Sequence, residues 1–253
     1  MNRLKDKTIL LAGAGQIGAA VARRYAAEGA AIVICDIDPE GAARIADEIA
    51  AAGGRAVGCV LDGRDEASVA AAFELARREF GGLDGMHANF ATFADGPQGD
   101  DILTLPLETY DEVMRVNARG FVLCTRHAVP LLLERGGGSI LYTSSQAAHQ
   151  GDPVRGAYAM SKAAVNALMR HVASRFGPRG IRANAIAPGL VVYPAIAHHV
   201  EGEAGDYFLS RMPLNFFAAP DDIAGMAVML MSDEAWYITG QVISVDGGGS
   251  MRP

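Results

Sequence analysis

A tyrosine and a lysine lie four residues apart in the segment AYAMSKA (157–163), where Tyr158 and Lys162 are surrounded mostly by small residues. On a helix this spacing places both side chains on one face, one turn apart. A free phenol titrates at about pH 10, and a neighbouring ammonium group stabilises the phenolate and lowers that pKa. The pair could therefore transfer protons at neutral pH, although an isolated pair of this kind is ordinarily a half-exposed tyrosine beside a solvated lysine.

A glycine-rich turn, GAGQIG, directly follows the first apolar run and precedes a helical pattern. Its glycines permit a tight turn and close backbone approach to a pyrophosphate, while the following helix presents N–H groups and the positive end of its dipole. The turn therefore predicts a dinucleotide site, with five candidate cofactor contacts: Gly13, Gly15, Gln16, Ile17 and Gly18.

Asp36 ends the second predicted strand, 18 residues after Gly18. A carboxylate at this point accepts hydrogen bonds from the adenosine ribose and repels a 2′-phosphate, which favours NAD(H) over NADP(H). Asp38 is the second choice for this role, and a helix or turn cap is the alternative reading of Asp36. Asp62, which ends the third strand, is a further candidate cofactor residue, although its position before Gly63 is more typical of a turn.

Short apolar runs alternate with longer Ala-rich segments at helical spacing. The predicted strands are 8–13, 31–36, 56–61, 85–89, 139–144, 181–186 and 242–247, and the predicted helices are 16–28, 39–52, 65–80, 107–134, 156–177 and 220–232. This βαβα order predicts a three-layer, Rossmann-like α/β fold with a doubly wound parallel sheet of about seven strands. No repeat or linker interrupts the pattern, so residues 1–253 are predicted to form one catalytic domain.

The composition narrows the choice of partners. A formal net charge of −7 without a basic run argues against nucleic acid and anionic membranes as partners. Cys35, Cys59 and Cys124 show neither disulfide-framework nor metal-site spacing, which favours a reducing, cytoplasmic location. His198, His199 and the nearby glutamates fit no firm zinc pattern, so no metal is expected.

Five segments together resemble the short-chain dehydrogenase/reductase family, essentially from Lys7 to Met251. They are YAMSK (158–162), SILYTSS (139–145), RVNARG (115–120), NAIAPG (184–189) and MSDEAWYITGQVISVDGG (231–248). Ser145 precedes Tyr158 by thirteen residues, as in the family. The order and the gaps make this resemblance much more specific than any single motif.

The chain also departs from the family pattern. AGAGQIG (12–18) is one residue shorter than the usual glycine loop, so a change in loop shape is expected. ANFA (88–91) replaces the usual NNAG and keeps only Asn89, with Phe90 and Ala91 expected near the adenosine side of the cleft. Tyr193 stands where a threonine often follows the Pro-Gly turn, which leaves the Val191 backbone to contact the carboxamide.

The resemblance implies roles for the catalytic residues. Tyr158 would be the acid/base and Lys162 its electrostatic partner, which also holds the nicotinamide ribose. Ser145 would position the substrate oxygen, and Asn117 would hold a water that links Lys162 to solvent. Pro188, Gly189 and Val191 would lie beside the nicotinamide. The family also implies a homotetramer, or a dimer, with the 107–134 and 156–177 helices at one interface.

The expected reaction interconverts a secondary alcohol and its ketone with NAD(H). Residues 193–215 are predicted to form a long substrate loop, since loops of this length are often lids. Candidate substrate contacts are Gln146, His149, Tyr193, His198, Tyr207 and Phe208. Two alternatives stay open: an NADPH-dependent carbonyl reductase, which Asp36 argues against, and a regulatory nucleotide-binding protein without turnover, which the intact tyrosine, lysine, serine and asparagine set argues against.

Overall fold

Seven parallel strands form a single sheet in the order β3-β2-β1-β4-β5-β6-β7. The computed structural model describes residues 2–93, 101–151 and 154–251. The strands are β1 (Thr8–Ala12), β2 (Ala31–Asp36), β3 (Arg55–Val60), β4 (Gly85–Ala88), β5 (Gly138–Thr143), β6 (Ile181–Pro188) and β7 (Val242–Val245). The chain winds outward from β1 to one edge and then from β4 to the other, so the predicted doubly wound α/β fold is confirmed.

Eight α-helices accompany this sheet in the described part of the chain. They are α1 (Gln16–Ala27), α2 (Pro39–Ala51), α3 (Glu66–Phe80), α4 (Leu107–Met114), α5 (Gly120–Glu134), α6 (Gly156–Phe176), α7 (Glu203–Leu209) and α8 (Pro220–Met231). Pro39 and Pro220 occupy the first turns of α2 and α8, where a missing N–H costs no helical hydrogen bond.

The two faces of the sheet carry separate hydrophobic cores. Leu10 and Ala12 of β1 join the core formed with α3, α5 and α6, whereas Ile9 and Leu11 join the core formed with α1, α2 and α8. This alternation follows from the two-residue period of a strand. Both faces are covered, which explains why β1 and β2 are apolar almost throughout.

Two predicted elements differ from the structure. The helix expected over 107–134 is interrupted by a π-helical turn, Arg115–Arg119, between α4 and α5. The loop expected over 193–215 instead contains a 3₁₀ helix, Pro194–Val200, and α7. Pro194 and the acidic first turn of α7 favour these short helices. The single-domain assignment over 1–253 stays a prediction because residues 1, 94–100, 152–153 and 252–253 lie outside the described residues.

Candidate active site

Several predicted site residues lie at the carboxyl-terminal ends of the strands. Parallel strands end on the same side, and ligands of open α/β sheets bind beyond these carboxyl ends. Gly13 follows β1, Asn89 follows β4 and Ser145 follows β5, while Asp36 and Pro188 are the last residues of β2 and β6. The fold therefore brings together residues that are far apart in the sequence.

The glycine turn is held by backbone and side-chain hydrogen bonds. Gly13, at φ +103°, donates its N–H to the Cys35 carbonyl at 2.7 Å and accepts from Asn89 Nδ2 at 2.9 Å. A Cβ at Gly13 would overlap the Phe90 backbone, and a Cβ at Gly18 would overlap the Gly13 carbonyl. Both positions therefore require glycine, so the shortened loop is closely packed.

Gly15 has a different environment from the other two glycines. It precedes α1 without a side-chain cap, the first turn of α1 contains no acidic residue, and a Cβ at Gly15 would meet nothing within 4 Å. The first N–H groups of a helix have no intrahelical partner. The chain thus leaves an open cradle that fits a pyrophosphate. It is formed by Gly15, the exposed Gln16 and the half-buried Ile17.

The Asp36 carboxylate accepts a hydrogen bond from the backbone of the glycine turn. Its Oδ2 accepts from the Ala14 N–H at 2.6 Å and its Oδ1 from the Asp38 N–H at 3.1 Å. A carboxylate has further lone pairs for ribose hydroxyls. Asp38, the second choice for this role, instead caps α2 by accepting from the Glu40 N–H.

Asp62 takes part in a local turn. The guanidinium and backbone N–H of Arg64 both donate to its carboxylate, with the closest side-chain contact, to Arg64 Nη2, at 2.8 Å. These hydrogen bonds lower the pKa of Asp62. The geometry favours the turn alternative, and a cofactor contact by Asp62 stays a prediction.

The ring of Phe90 packs in the core between two glycines. Its ring inserts between Gly63 and Gly120, where added Cβ atoms would lie 2.7 Å and 2.9 Å from ring carbon Cε2, and it meets the Phe121 ring edge-on at 4.9 Å. Two glycines therefore create the space for a side chain much larger than the family's alanine. The Phe90 backbone lies against Gly13 while its ring fills this core slot, and a position of Phe90 near the adenosine side of the cleft stays a prediction.

Tyr158 and Lys162 are brought together on the buried face of α6. Lys162 is 1% exposed; its Nζ donates to the Thr143 carbonyl at 2.8 Å and lies 5.6 Å from the centroid of the Tyr158 ring. Burial lowers the pKa of Lys162 to about 7. An ammonium group has three donors, so this hydrogen bond leaves capacity for ribose hydroxyls.

Phe93 is a site residue that the sequence analysis missed. Its ring stacks on Tyr158 with centroids 4.7 Å apart, and Phe93 remains 47% exposed. The acid/base candidate thus has an apolar ring on one face. No local motif distinguishes Phe93, since the contact joins residues 65 positions apart.

Ser145 is oriented by the turn that follows β5. Its Oγ accepts from the Ala147 N–H at 3.2 Å and caps the short 3₁₀ helix Gln146–Ala148. Ser144 is buried and its N–H donates to the Ile186 carbonyl. The structure therefore distinguishes the half-buried Ser145, at the strand end, from the structural Ser144.

Asn117 lies in the π-helical turn and ties it to the segment after β4. Its Oδ1 accepts from the Thr92 N–H at 2.8 Å, while Nδ2 donates to the Thr92 carbonyl and to Ser161 Oγ. Both amide hydrogens are thereby used, whereas one Oδ1 lone pair remains. π-Helical turns are frequent at functional sites, and this one places a buried amide beside the helix of Tyr158. A role in holding a water stays a prediction.

A buried chain of hydrogen bonds connects Tyr25 of α1 to the glycine turn. Thr143 donates to Asn89 Oδ1 at 2.8 Å, so its hydroxyl oxygen accepts from His87 Nε2 at 2.9 Å, and His87 Nδ1 accepts from the Tyr25 hydroxyl at 3.1 Å. Burial lowers the pKa of His87 to about 3, consistent with one neutral tautomer. The only sequence signal was a histidine inside an apolar strand.

The Pro-Gly turn after β6 lies beside Gln146. An added Cβ at Gly189 would be 3.2 Å from Gln146 Oε1, and Gly189 donates its N–H to the Val245 carbonyl. Pro188 is the last residue of β6, and Val191 is buried and forms an isolated bridge with Ala218. Their contacts with a nicotinamide stay predictions.

The remaining substrate candidates divide by location. His149 follows the short helix after Ser145, and Tyr193 immediately precedes the 3₁₀ helix that contains the exposed His198. Tyr207 and Phe208 lie on α7 and are exposed, and the Tyr207 hydroxyl accepts from Arg211 at 2.7 Å. Substrate binding by these residues stays a prediction.

Membrane-spanning helices and metal-binding clusters are absent from the described residues. None of the helices they form has the length and apolar character needed to cross a membrane. Within the same residues, no group of three or more His, Cys, Asp or Glu side chains is arranged to hold a metal ion.

A glycine turn and a buried tyrosine–lysine pair at the carboxyl ends of one parallel sheet are typical of nucleotide-dependent oxidoreductases. A family model described as enoyl-(acyl carrier protein) reductase matches residues 12–250. A probable short-chain type dehydrogenase/reductase of Bradyrhizobium diazoefficiens is 38% identical over 98% of this chain and 89% of its own. The chain belongs to the short-chain dehydrogenase/reductase family, whose members generally use NAD(H) or NADP(H).

Other relatives have more specific names. The 2,5-dichloro-2,5-cyclohexadiene-1,4-diol dehydrogenase of Sphingobium indicum is 36% identical, with 98% of each chain covered. The 7alpha-hydroxysteroid dehydrogenase of Bacteroides fragilis is 32% identical over 98% of this chain and 96% of its own. A solved short-chain type dehydrogenase/reductase from Mycobacterium ulcerans superposes with a TM-score of 0.92 at 31% identity, covering 97% of this chain and 90% of that one.

Proposed function

We propose that this oxidoreductase interconverts a secondary alcohol and its ketone with NAD(H), using Tyr158 as the acid/base. The observation that carries the proposal is the buried pair in which Lys162 Nζ lies 5.6 Å from the Tyr158 ring centroid. The nicotinamide supplies or accepts the hydride when bound. The protein must then move one proton at the substrate oxygen.

Tyr158 exchanges this proton with the substrate oxygen, and Ser145 positions that oxygen by donating a hydrogen bond. Lys162, whose pKa burial lowers to about 7, can both accept and release a proton near neutral pH. Asn117 holds the segment that carries Phe93 against Tyr158 through its two hydrogen bonds to Thr92. Apolar rings near Lys162 and Tyr158 limit the access of water to the pair.

The proposed preference for NAD(H) rests on Asp36. A 2′-phosphate beside this carboxylate would place two negative charges together at the glycine turn. Asp36→Asn is the sharpest test, because the amide oxygen can still accept from the Ala14 N–H while the charge is removed and only the longer hydrogen bond from the Asp38 N–H is lost. We expect the wild type to bind NADH in preference to NADPH by nicotinamide fluorescence, and the variant to gain about tenfold in NADPH affinity with little change for NADH.

Equal binding of the two nucleotides by the wild type, or an unchanged ratio in Asp36→Asn, would contradict this assignment. A preference for NADPH in the wild type would support the alternative of a biosynthetic carbonyl reductase. Failure to bind either nucleotide would overturn the proposal at the glycine turn itself.

The proposed substrate is a cyclic, largely apolar secondary alcohol of moderate size. Two relatives are named for a cyclohexadiene diol and for a hydroxysteroid. The exposed Phe93 ring beside Tyr158 would suit such a carbon skeleton. We propose Gln146, His149, Tyr193, His198, Tyr207 and Phe208 as further contacts.

Tyr158→Phe tests catalysis separately from binding. The variant keeps the ring that packs against Phe93 and Lys162 but loses the hydroxyl, so we expect turnover of an accepted cyclic alcohol to fall about 10²-fold or more. NADH affinity and the unfolding temperature should be nearly unchanged. Undiminished turnover in Tyr158→Phe would show that another group transfers the proton, and nucleotide binding without turnover on any alcohol would favour the regulatory alternative.

A further inference from the structure

Two of the three cysteines face each other across neighbouring strands. Cys35 of β2 and Cys59 of β3 are register partners, and their Sγ atoms lie 3.2 Å apart as free thiols. Adjacent strands are about 4.8 Å apart, within the Cα separation that a disulfide spans. Closing the bond would bring the two sulfur atoms about 1.2 Å nearer.

The two thiols have different environments. Cys35 is buried, whereas Cys59 is half-buried on β3, the edge strand of the sheet. The hydrogen bond with Cys35 lowers the pKa of Cys59, and burial raises the pKa of Cys35. Cys59 is therefore the more reactive and the more accessible sulfur, and Cys35 is placed to attack it after oxidation.

We propose that Cys35 and Cys59 form a reversible redox site whose oxidation by a peroxide loosens the glycine turn of the nucleotide site. The Cys59 thiolate attacks one peroxide oxygen; an S–O bond forms, the O–O bond breaks, and one water leaves after protonation. The Cys35 sulfur then attacks the resulting sulfenic acid, so the S–S bond forms, the S–O bond breaks and a second water leaves. Two thiols lose two electrons and the peroxide gains them.

The end of β2 couples this site to the glycine turn. The Cys35 carbonyl accepts from the Gly13 N–H at 2.7 Å, and Asp36, the next residue, accepts from the Ala14 N–H at 2.6 Å. Disulfide formation draws Cys35 toward β3. The Cys35 carbonyl and the Asp36 carboxylate then move away from the glycine turn, from whose N–H groups they accept hydrogen bonds. A thiol reductant reopens the bond by thiol–disulfide exchange, so the movement of the two acceptors is reversible.

The test treats the reduced full-length protein with hydrogen peroxide and reads three quantities. Peptide mass mapping should show a link between the segments of Cys35 and Cys59. Amide hydrogen exchange should increase over residues 12–18, a readout that needs no nucleotide. NADH affinity, which alone rests on the proposed function, should fall about tenfold, the scale of one lost hydrogen bond, and return with dithiothreitol.

Matched variants separate this site from general oxidation. Cys124→Ser removes the third cysteine, whose thiol is buried with its pKa raised by burial to about 12, and should respond as the wild type does. Cys59→Ser should show no link and no change in exchange. Absence of the 35–59 link overturns the redox site, and a link without increased exchange at 12–18 overturns its coupling to the turn. If the reduced protein binds no nucleotide, the proposed function fails while mass and exchange still decide this proposal.

Discussion

At the residue scale, the buried Lys162 is the clearest conflict between stability and function. It is 1% exposed and packs between the rings of Phe121 and Tyr158, with one hydrogen bond to the Thr143 carbonyl. Burying an ammonium group is costly unless a charge partner compensates it. A position chosen for stability alone would hold an apolar residue, which accords with the proposed role of Lys162 beside Tyr158.

Lys162→Met should therefore stabilise the protein and abolish turnover. Burial lowers the pKa of Lys162 from 10.5 to about 7, so between these values the unfolded chain binds more protons than the folded one. The free energy of unfolding of the wild type must therefore rise, relative to that of the variant, as the pH increases from about 7 to 10.5. We expect Lys162→Met to be more stable by on the order of a few kcal/mol at pH 7, with the gain shrinking toward pH 10.

Urea unfolding of both proteins at several pH values measures this difference. Lys5→Met, at an exposed lysine, serves as the control and should show little gain at any pH. A Lys162→Met variant of equal or lower stability at pH 7 would show that the lysine is well solvated or paired in the folded protein.

At the element scale, a directed chain of hydrogen bonds connects α1, β4, β5 and the glycine turn. Tyr25 donates to His87, His87 to Thr143, Thr143 to Asn89, and Asn89 to the Gly13 carbonyl. Thr143 also accepts from Lys162 through its carbonyl. This chain supports the glycine turn and Lys162 from the same point on β5.

His87→Val should destabilise the fold by about 1–3 kcal/mol, because the buried Tyr25 hydroxyl loses its acceptor. Tyr25→Phe should lower the free energy of unfolding less in the His87→Val background than in the wild type, because the variant has no His87 nitrogen to leave without a hydrogen bond. A double-mutant cycle by urea unfolding measures the coupling. Additive effects of the two substitutions would show that Tyr25 and His87 do not act as a unit.

The same scale explains what sequence could and could not predict. Every strand was located to within two residues because buried parallel strands read as continuous apolar runs. Tyr158 and Lys162 were found together because their spacing is local. No local pattern marks the π-helical turn, whose Asn117 binds Thr92, 25 residues away, and the Phe90 slot is shaped by Gly63 and Gly120 only in the folded chain.

At the scale of the whole molecule, we propose assembly into a homotetramer through α5 and α6. Small side chains suit close helix approach, and Ala163 and Ala167 of α6 are exposed, as is Val122 of α5. Ala173 of the same helix packs in the core of its own chain and is only 8% exposed. The proposed surface is therefore defined by Val122, Ala163 and Ala167.

Ala167→Glu should disrupt this assembly, because a charge on a closely packed helix face would be buried without a partner. Light scattering after size exclusion should give the mass of four chains for the wild type and a smaller assembly for Ala167→Glu. Ala71→Glu, at an exposed alanine of α3, adds the same charge outside the surface and should leave the mass unchanged. A monomeric wild type, or a tetramer that tolerates Ala167→Glu, would place the subunit contacts elsewhere.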